Sequence, residues 1–270
     1  MELGRIGIWR LRYHGVEGVD EVEALGYSAL WLGSSPGTAD ARPYLEATSA
    51  TTIATGILNV WQHEPAAAAA GYAELARDFP GRFLLGVGIG HPEATSGYAR
   101  PLATMRAFFD GLDAGGVPKE ERITAALGPK MLDLAGERSL GAHTYFVSPA
   151  HTRAARERLG PDAAIAAEVA VVVESDPTTA RGIARDYARG YLARRNYTSN
   201  LLRIGFTEDD LSSGGSHRLI DAVIPHGSAE QIAEAVRAHF DAGATHVCLQ
   251  PLGHGPHPAA DYRALAAALV

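Results

Sequence analysis

The residue best suited to chemistry is His91, which follows the apolar run 83–89 and a single glycine, Gly90. An imidazole titrates near neutral pH, so it can relay a proton or hydrogen-bond a substrate. A glycine beside it lets a flat ligand approach the backbone. The pattern therefore favours His91 as a proton donor or acceptor, and an ordinary loop histidine is the alternative.

Polar and aromatic side chains also follow three earlier apolar runs. The first run ends at Trp9, the second at Ser34 and the third at Asn59, with Trp61 shortly after. If these runs are strands of a barrel, their carboxyl ends form one rim, where active sites of that architecture lie. We therefore expect Trp9, Ser34, Asn59 and Trp61 to contact a substrate. Burial in the core is the alternative for the indoles.

A fifth apolar run leads into Leu127-Gly128-Pro129-Lys130, where a helix is predicted to begin. Backbone N–H groups, the helix dipole and one ammonium group could together hold a phosphate there. An ordinary strand-to-helix turn is the alternative.

Several other chemistries lack their sequence signals. His91 stands where the dinucleotide fingerprint of residues 86–91 requires its last glycine, and there is no Gly-Lys-Ser/Thr phosphate loop or Gly-x-Ser-x-Gly elbow. His63 and Glu64 begin like a zinc-protease motif but meet Pro65. His254 and His257 have no third ligand nearby, so we expect no metal site.

The elements that must position these residues alternate regularly. Short apolar runs and longer amphipathic or Ala-rich segments follow one another, as in repeated βα units around a parallel sheet. The predicted strands are residues 5–9, 29–33, 53–58, 83–89, 123–127, 143–147, 164–173 and 246–249. The predicted helices are residues 19–25, 44–52, 65–79, 130–138, 151–159, 229–242 and 259–269.

This order predicts an α/β fold, a single (β/α)8 TIM barrel that forms one domain over residues 1–270. The segment 177–225 is too long for one connection, so we expect it to be a helical insertion after the seventh strand.

Composition limits the partners. With 24 Lys and Arg against 31 Asp and Glu, the net charge is -7, which argues against a nucleic-acid partner. No stretch reaches membrane-spanning length, and the single cysteine, Cys248, indicates no disulfide framework. We therefore expect a cytoplasmic protein with a small-molecule substrate.

Three motifs together resemble a known family. They are Thr55-Gly56-Ile57-Leu58-Asn59, His63-Glu64-Pro65-Ala66 and the Pro-Gly-Arg to Leu-Gly-Val-Gly stretch of residues 79–88. The chain is similar to the luciferase-like monooxygenase superfamily, and most of all to its branch of oxidoreductases that use coenzyme F420, a deazaflavin. The resemblance extends over nearly the whole chain.

The resemblance implies specific contacts with the cofactor. A non-proline cis peptide after strand three would be the bond Gly56-Ile57, and with Leu58 it would lie behind the deazaflavin ring. Ile89 and Gly90 match ring contacts. The segment Ala126-Leu127-Gly128-Pro129, followed by Lys130, matches the one that receives the cofactor phosphate. The family also implies a homodimer.

The chain departs from the best-known members of this branch. An Asp-His pair at the end of strand two is Gly33-Ser34 here, and a glutamate after strand four is His91. Because those members are sugar-phosphate dehydrogenases, a sugar-phosphate substrate is not expected for this chain. Three functions stay open: F420-dependent hydride transfer to or from a small organic substrate, an FMN-dependent luciferase-like monooxygenase, and a non-catalytic barrel that acts as a binding or subunit partner.

Overall fold

The computed structural model describes residues 3–95 and 97–270, apart from the side chain of Ala94. Its strand segments, all parallel where they pair, are β1 (Ile6–Leu11), β2 (Ala29–Gly33), β3 (Thr52–Thr55), β4 (Leu58–Asn59), β5 (Phe83–Gly88), β6 (Arg122–Ala125), β7 (Gly141–Thr144), β8 (Ala164–Val173), β9 (His226–Gly227) and β10 (His246–Pro251).

The sheet closes on itself. β10 pairs with β8 on one side and with β1 on the other, and the remaining barrel strands follow in chain order. β4 continues the third strand, and β9 is a two-residue addition beside β8. The predicted (β/α)8 barrel is therefore confirmed.

The third strand is broken, which the sequence prediction of one strand over residues 53–58 missed. β3 pairs with β2 and β5, the peptide bond Gly56-Ile57 is cis, and β4 then pairs again with β5 through Leu58 and Val87. The cis bond lies where the family resemblance implies it.

Helices surround the barrel, and several of them begin with proline, whose missing N–H costs no hydrogen bond at the first helical position. The helices are α1 (Val19–Ala24), α2 (Arg42–Glu46), α3 (Pro65–Asp78), α4 (Pro101–Ala114), α5 (Pro129–Arg138), α6 (Pro149–Leu159), α7 (Pro177–Leu192), α8 (Arg195–Arg203), α9 (Glu208–Leu211), α10 (His217–Val223), α11 (Ala229–Asp241) and α12 (Ala259–Leu269).

One predicted helix was too long, and one helix was not predicted. The helix predicted over residues 44–52 ends at Glu46, because the Glu23 carboxylate accepts hydrogen bonds from the backbone of residues 49–51 and turns the chain into β3. The helix α4 was not predicted, although Met105, Phe108, Phe109 and Leu112 recur at helical spacing and are all buried.

The insertion predicted over residues 177–225 is confirmed as α7 to α10. Small residues of α7, Ala180, Ala184 and Ala188, are fully buried where the helix packs on the barrel. Phe146 and Val172 from the barrel share one apolar cluster with these helices. The insertion is therefore packed against the end of the barrel.

Side chains fill the barrel interior. Trp31 is fully buried there, stacks on His143 with ring centroids 4.3 Å apart and donates a hydrogen bond to His246 Nε2 at 3.0 Å. In the part of the chain that the structure describes, no helix is long and apolar enough to cross a membrane.

Candidate active site

A cavity of about 490 Å³ opens at the carboxyl ends of the barrel strands, a size typical of small-molecule sites. Most of the residues predicted from the sequence to form a site line it, namely Trp9, Ser34, Gly56, Ile57, Asn59, Ile89, Gly90, His91, Ala126, Leu127 and Gly128. Leu58, Trp61, Pro129 and Lys130 do not line it.

The four residues outside the cavity lining have other surroundings. Leu58 is fully buried in the core. Trp61 lines a neighbouring cavity and donates an indole hydrogen bond to the Ile89 carbonyl at 2.8 Å, which fixes the loop after β5. Pro129 and the exposed Lys130 form the first turn of α5, directly after the cavity residue Gly128.

Glycines keep one wall of the cavity flat. Gly90 has a φ of 64°, and a Cβ there would lie 2.9 Å from Asn59 Nδ2. A Cβ on Gly56 would lie 3.0 Å from Trp9 Nε1. A side chain at either position would displace these neighbours, so glycine backbone forms this part of the lining.

The end of β2 adds backbone strain at the mouth. Ser34 and Ser35 both line the cavity and have φ angles of 66° and 51°. Two successive left-handed residues other than glycine cost on the order of 1–3 kcal/mol each, and such strain is concentrated at functional sites. The Arg12 guanidinium contributes to holding this turn by donating to the Ser34 carbonyl at 3.1 Å.

His91 has a defined protonation state. Its Nδ1 lies 3.2 Å from Asn196 Oδ1, an acceptor, so Nδ1 carries the proton and Nε2 keeps its lone pair. Burial and the nearby charge of Arg194 lower the pKa of His91, while the Asn196 bond and Glu93 act in the opposite direction. The imidazole is therefore neutral at neutral pH and can accept a proton through Nε2.

Three tyrosines, Tyr145, Tyr191 and Tyr197, form an aromatic wall that the sequence analysis did not predict. The Tyr145 and Tyr191 hydroxyls are 3.1 Å apart, and Tyr145 donates to Gln250 Oε1 at 2.8 Å. Tyr187 donates to the same Gln250 oxygen at 2.9 Å. Burial raises the pKa of each tyrosine in the wall, so their hydroxyls stay neutral.

The floor of the cavity carries two polar atoms without a partner among the described residues, Trp9 Nε1 and His143 Nε2. His143 Nδ1 donates to the Ala166 carbonyl at 3.0 Å, and burial lowers the pKa of His143 to about 4. The floor is therefore polar but uncharged.

Glu168 lies inside the barrel with no exposed surface. Burial raises its pKa to about 8, against a hydrogen bond from the Phe146 backbone N–H at 3.3 Å. Phe146 has a φ of 55°, another left-handed residue in this region. The carboxyl group is therefore protonated at neutral pH.

Metal ligands are not gathered at this site. Within residues 3–95 and 97–270, no three or more His, Cys, Asp or Glu side chains are placed to hold a metal ion. The two histidines of the 254–257 loop each pair with a carboxylate: His254 with Asp261 at 2.8 Å and His257 with Glu21 at 3.3 Å.

The sequence contained partial signals for the residues that we missed. Tyr187 and Tyr191 are four apart, so they share one face of α7, but nothing in the sequence places that face over the barrel. Arg194 and Asn196 lie at the α7–α8 junction, and although the stretch that begins at Asn196 resembles one subgroup of the F420 branch, nothing in it assigns a role to either residue.

Comparisons with known proteins agree with this fold. The family model described as luciferase-like monooxygenase matches residues 11–123 and 114–246. No curated protein matches the sequence. An F420-dependent secondary alcohol dehydrogenase in complex with an F420-acetone adduct has a similar structure, with 16% identity and a TM-score of 0.78 over 100% of this chain and 98% of that one.

Two further solved structures are similar. A coenzyme F420 dependent tetrahydromethanopterin reductase from Methanopyrus kandleri has 14% identity and a TM-score of 0.73, covering 100% of this chain and 99% of that one. The oxygenating constituent of 3,6-diketocamphane monooxygenase from Pseudomonas putida, in complex with FMN, has 15% identity and a TM-score of 0.67, covering 98% and 96%. At these identities the likeness shows the fold alone.

Proposed function

The chain belongs to the luciferase-like monooxygenase family, and from this membership we propose that it is an F420-dependent oxidoreductase acting on a small organic substrate. The observation that carries the proposal is His91, a neutral imidazole that lines the cavity with its Nε2 lone pair unpartnered among the described residues.

The residues present fit a deazaflavin. Gly56 and Gly90 offer backbone, and Ile57 and Ile89 offer apolar side chains, as a wall for a planar ring, and Leu58 supports this wall from the core. The α5 N-terminus, with Ala126, Leu127, Gly128, Pro129 and Lys130, offers a helix dipole and one cation for the phosphate. Trp9, Ser34 and Asn59 border the remaining space, where we place the substrate, and Trp61 holds the loop beside it.

The chain's own task is to move a proton and exclude water. When bound, the deazaflavin supplies the carbon that gives or takes the hydride. Nε2 of His91 accepts the hydroxyl proton of an alcohol substrate as the carbinol carbon loses its hydride, and returns it in the reverse direction. The aromatic wall of Tyr145, Tyr191 and Tyr197 and the uncharged floor of the cavity shield the reacting groups from water.

The experiment is a fluorescence titration of the purified protein with F420 and, separately, with FMN. We expect F420 to bind and FMN to bind at least tenfold more weakly. Selective binding of FMN would instead support the luciferase-like monooxygenase, and binding of neither would support a non-catalytic barrel.

A further inference from the structure

The permanent charge in the cavity lining is positive. Among the described residues that line it, Arg194 is the single permanently charged side chain, and none is Asp or Glu. The chain as a whole carries 31 Asp and Glu against 24 Lys and Arg. The cavity therefore has the opposite sign of charge to the protein around it.

Arg194 forms no contact ion pair in the described part of the chain. Its guanidinium donates no hydrogen bond to a described residue and forms no ion pair with one. The guanidinium carbon lies 5.6 Å from the centroid of the Tyr191 ring. The charge of Glu93 acts on Arg194 from a distance, but the Glu93 carboxylate does not contact the guanidinium and instead accepts a hydrogen bond from the Arg195 backbone N–H at 3.1 Å. The five guanidinium donors are available to a ligand.

A half-buried guanidinium beside aromatic rings binds an anionic ligand more tightly than an uncharged one. Its partial desolvation costs free energy that a paired carboxylate recovers through charge-assisted hydrogen bonds. The planar fork of arginine matches the two oxygens of a carboxylate. An alcohol or ketone without a charge offers Arg194 much less.

Arg194 lies close to His91, so an anion bound by Arg194 would lie near the group that moves the proton. Its charge acts on the His91 ring, and Asn196, two residues later, forms the hydrogen bond to His91. The Tyr197 ring lies 5.3 Å from the His91 ring and 5.1 Å from the Tyr191 ring, centroid to centroid, so the two tyrosines offer an aromatic surface that adjoins both His91 and Arg194.

We propose that the substrate is an organic carboxylate whose anionic group binds Arg194 and whose apolar or aromatic body lies against Tyr191 and Tyr197. This inference rests on the proposed function, since it takes the space beside His91 as the substrate's.

A pair of probes tests it directly. Benzoate and benzamide share size and shape and differ in charge, so calorimetric titration of each into the F420-loaded protein isolates the effect of the carboxylate. We expect benzoate to bind about tenfold tighter or more, as hydrogen bonds between charged partners allow. In Arg194→Gln the preference should vanish, whereas Arg195→Gln, which removes an exposed neighbouring arginine outside the cavity, should keep it.

Equal binding of the two probes, or a preference that survives in Arg194→Gln, would overturn the inference. A second titration separates substrate from cofactor, with FMN and riboflavin added to the unloaded protein as phosphate-bearing and phosphate-free flavins. If Arg194→Gln weakened FMN alone, the arginine would serve the cofactor phosphate and the substrate assignment would be wrong. If F420 failed to bind the wild type, the proposed function would be wrong. If benzoate were still preferred over benzamide in that unloaded protein, Arg194 would remain a binding site for carboxylates.

Discussion

His91 donates a hydrogen bond from Nδ1 to Asn196 Oδ1 across 3.2 Å, and this bond joins the loop after β5 to the insertion. One partner comes from the barrel and the other from α8. The tautomer of the imidazole is therefore set by a residue 105 positions later in the chain.

Replacing His91 with alanine should leave F420 binding within about twofold and lower turnover by about 10²–10⁴-fold, the usual contribution of a general acid or base. The variant keeps the glycine wall, so the cofactor surface is unchanged. His217→Ala, which removes an exposed histidine of α10, is the control. Steady-state rates with the best alcohol substrate from a screen provide the measurement, and unchanged turnover in His91→Ala would remove this residue from the mechanism.

Arg194→Gln and Asn196→Leu should move the acidic limb of the rate profile in opposite directions. Burial and the Arg194 charge lower the pKa of His91, and the Asn196 bond raises it, with Glu93 as the other nearby titrating group. Activity in alcohol oxidation requires neutral His91 and is lost as the pH falls through its pKa. The limb should therefore move to higher pH without Arg194 and to lower pH without Asn196, as kcat/KM against pH, which reports the free enzyme, would record. Shifts of the same sign in both variants would contradict this account.

Glu168 should make the protein less stable as the pH rises. Its pKa is about 8 in the folded chain against an ordinary value of 4.5, so its favourable contribution is complete below 4.5 and is lost as the pH rises through 8. The loss should be on the order of a few kcal/mol in the free energy of unfolding. Glu168→Gln keeps the shape without the charge, so the difference between variant and wild type in urea unfolding should grow from pH 5 to pH 9. A constant difference would mean that Glu168 ionises as easily in the folded protein as in the unfolded chain.

Gly90→Ala should weaken cofactor binding by tenfold or more, because the added Cβ would meet the Asn59 amide 2.9 Å away, and it should cost about 1 kcal/mol or more in stability at a φ of 64°. Gly182→Ala is the matched control, since a Cβ there meets nothing within 4 Å and the residue lies in α7. Fluorescence titration and thermal unfolding of both variants give the two quantities. Wild-type affinity in Gly90→Ala would show that the ring does not approach this position.

The sequence predicted the barrel because short apolar runs alternate along the chain with longer amphipathic or Ala-rich segments. It also brought His91, Trp9, Ser34 and Asn59 to one rim, since the carboxyl ends of parallel strands lie on the same side. The contacts that the insertion makes with the cavity could not be predicted from the sequence. Whether Asn196 or Arg194 faces the cavity depends on how α7 and α8 lie over the barrel, and helical spacing alone does not determine that packing.

The Gln250 side chain has a wider consequence. Its oxygen accepts hydrogen bonds from Tyr145 of the barrel and Tyr187 of the insertion, so one amide aligns two segments that are far apart in the sequence. Chimeras that exchange residues 177–225 between relatives would need a hydroxyl at position 187 to keep this alignment. A designer could then change the substrate through the grafted segment while the barrel and its cofactor surface stay the same.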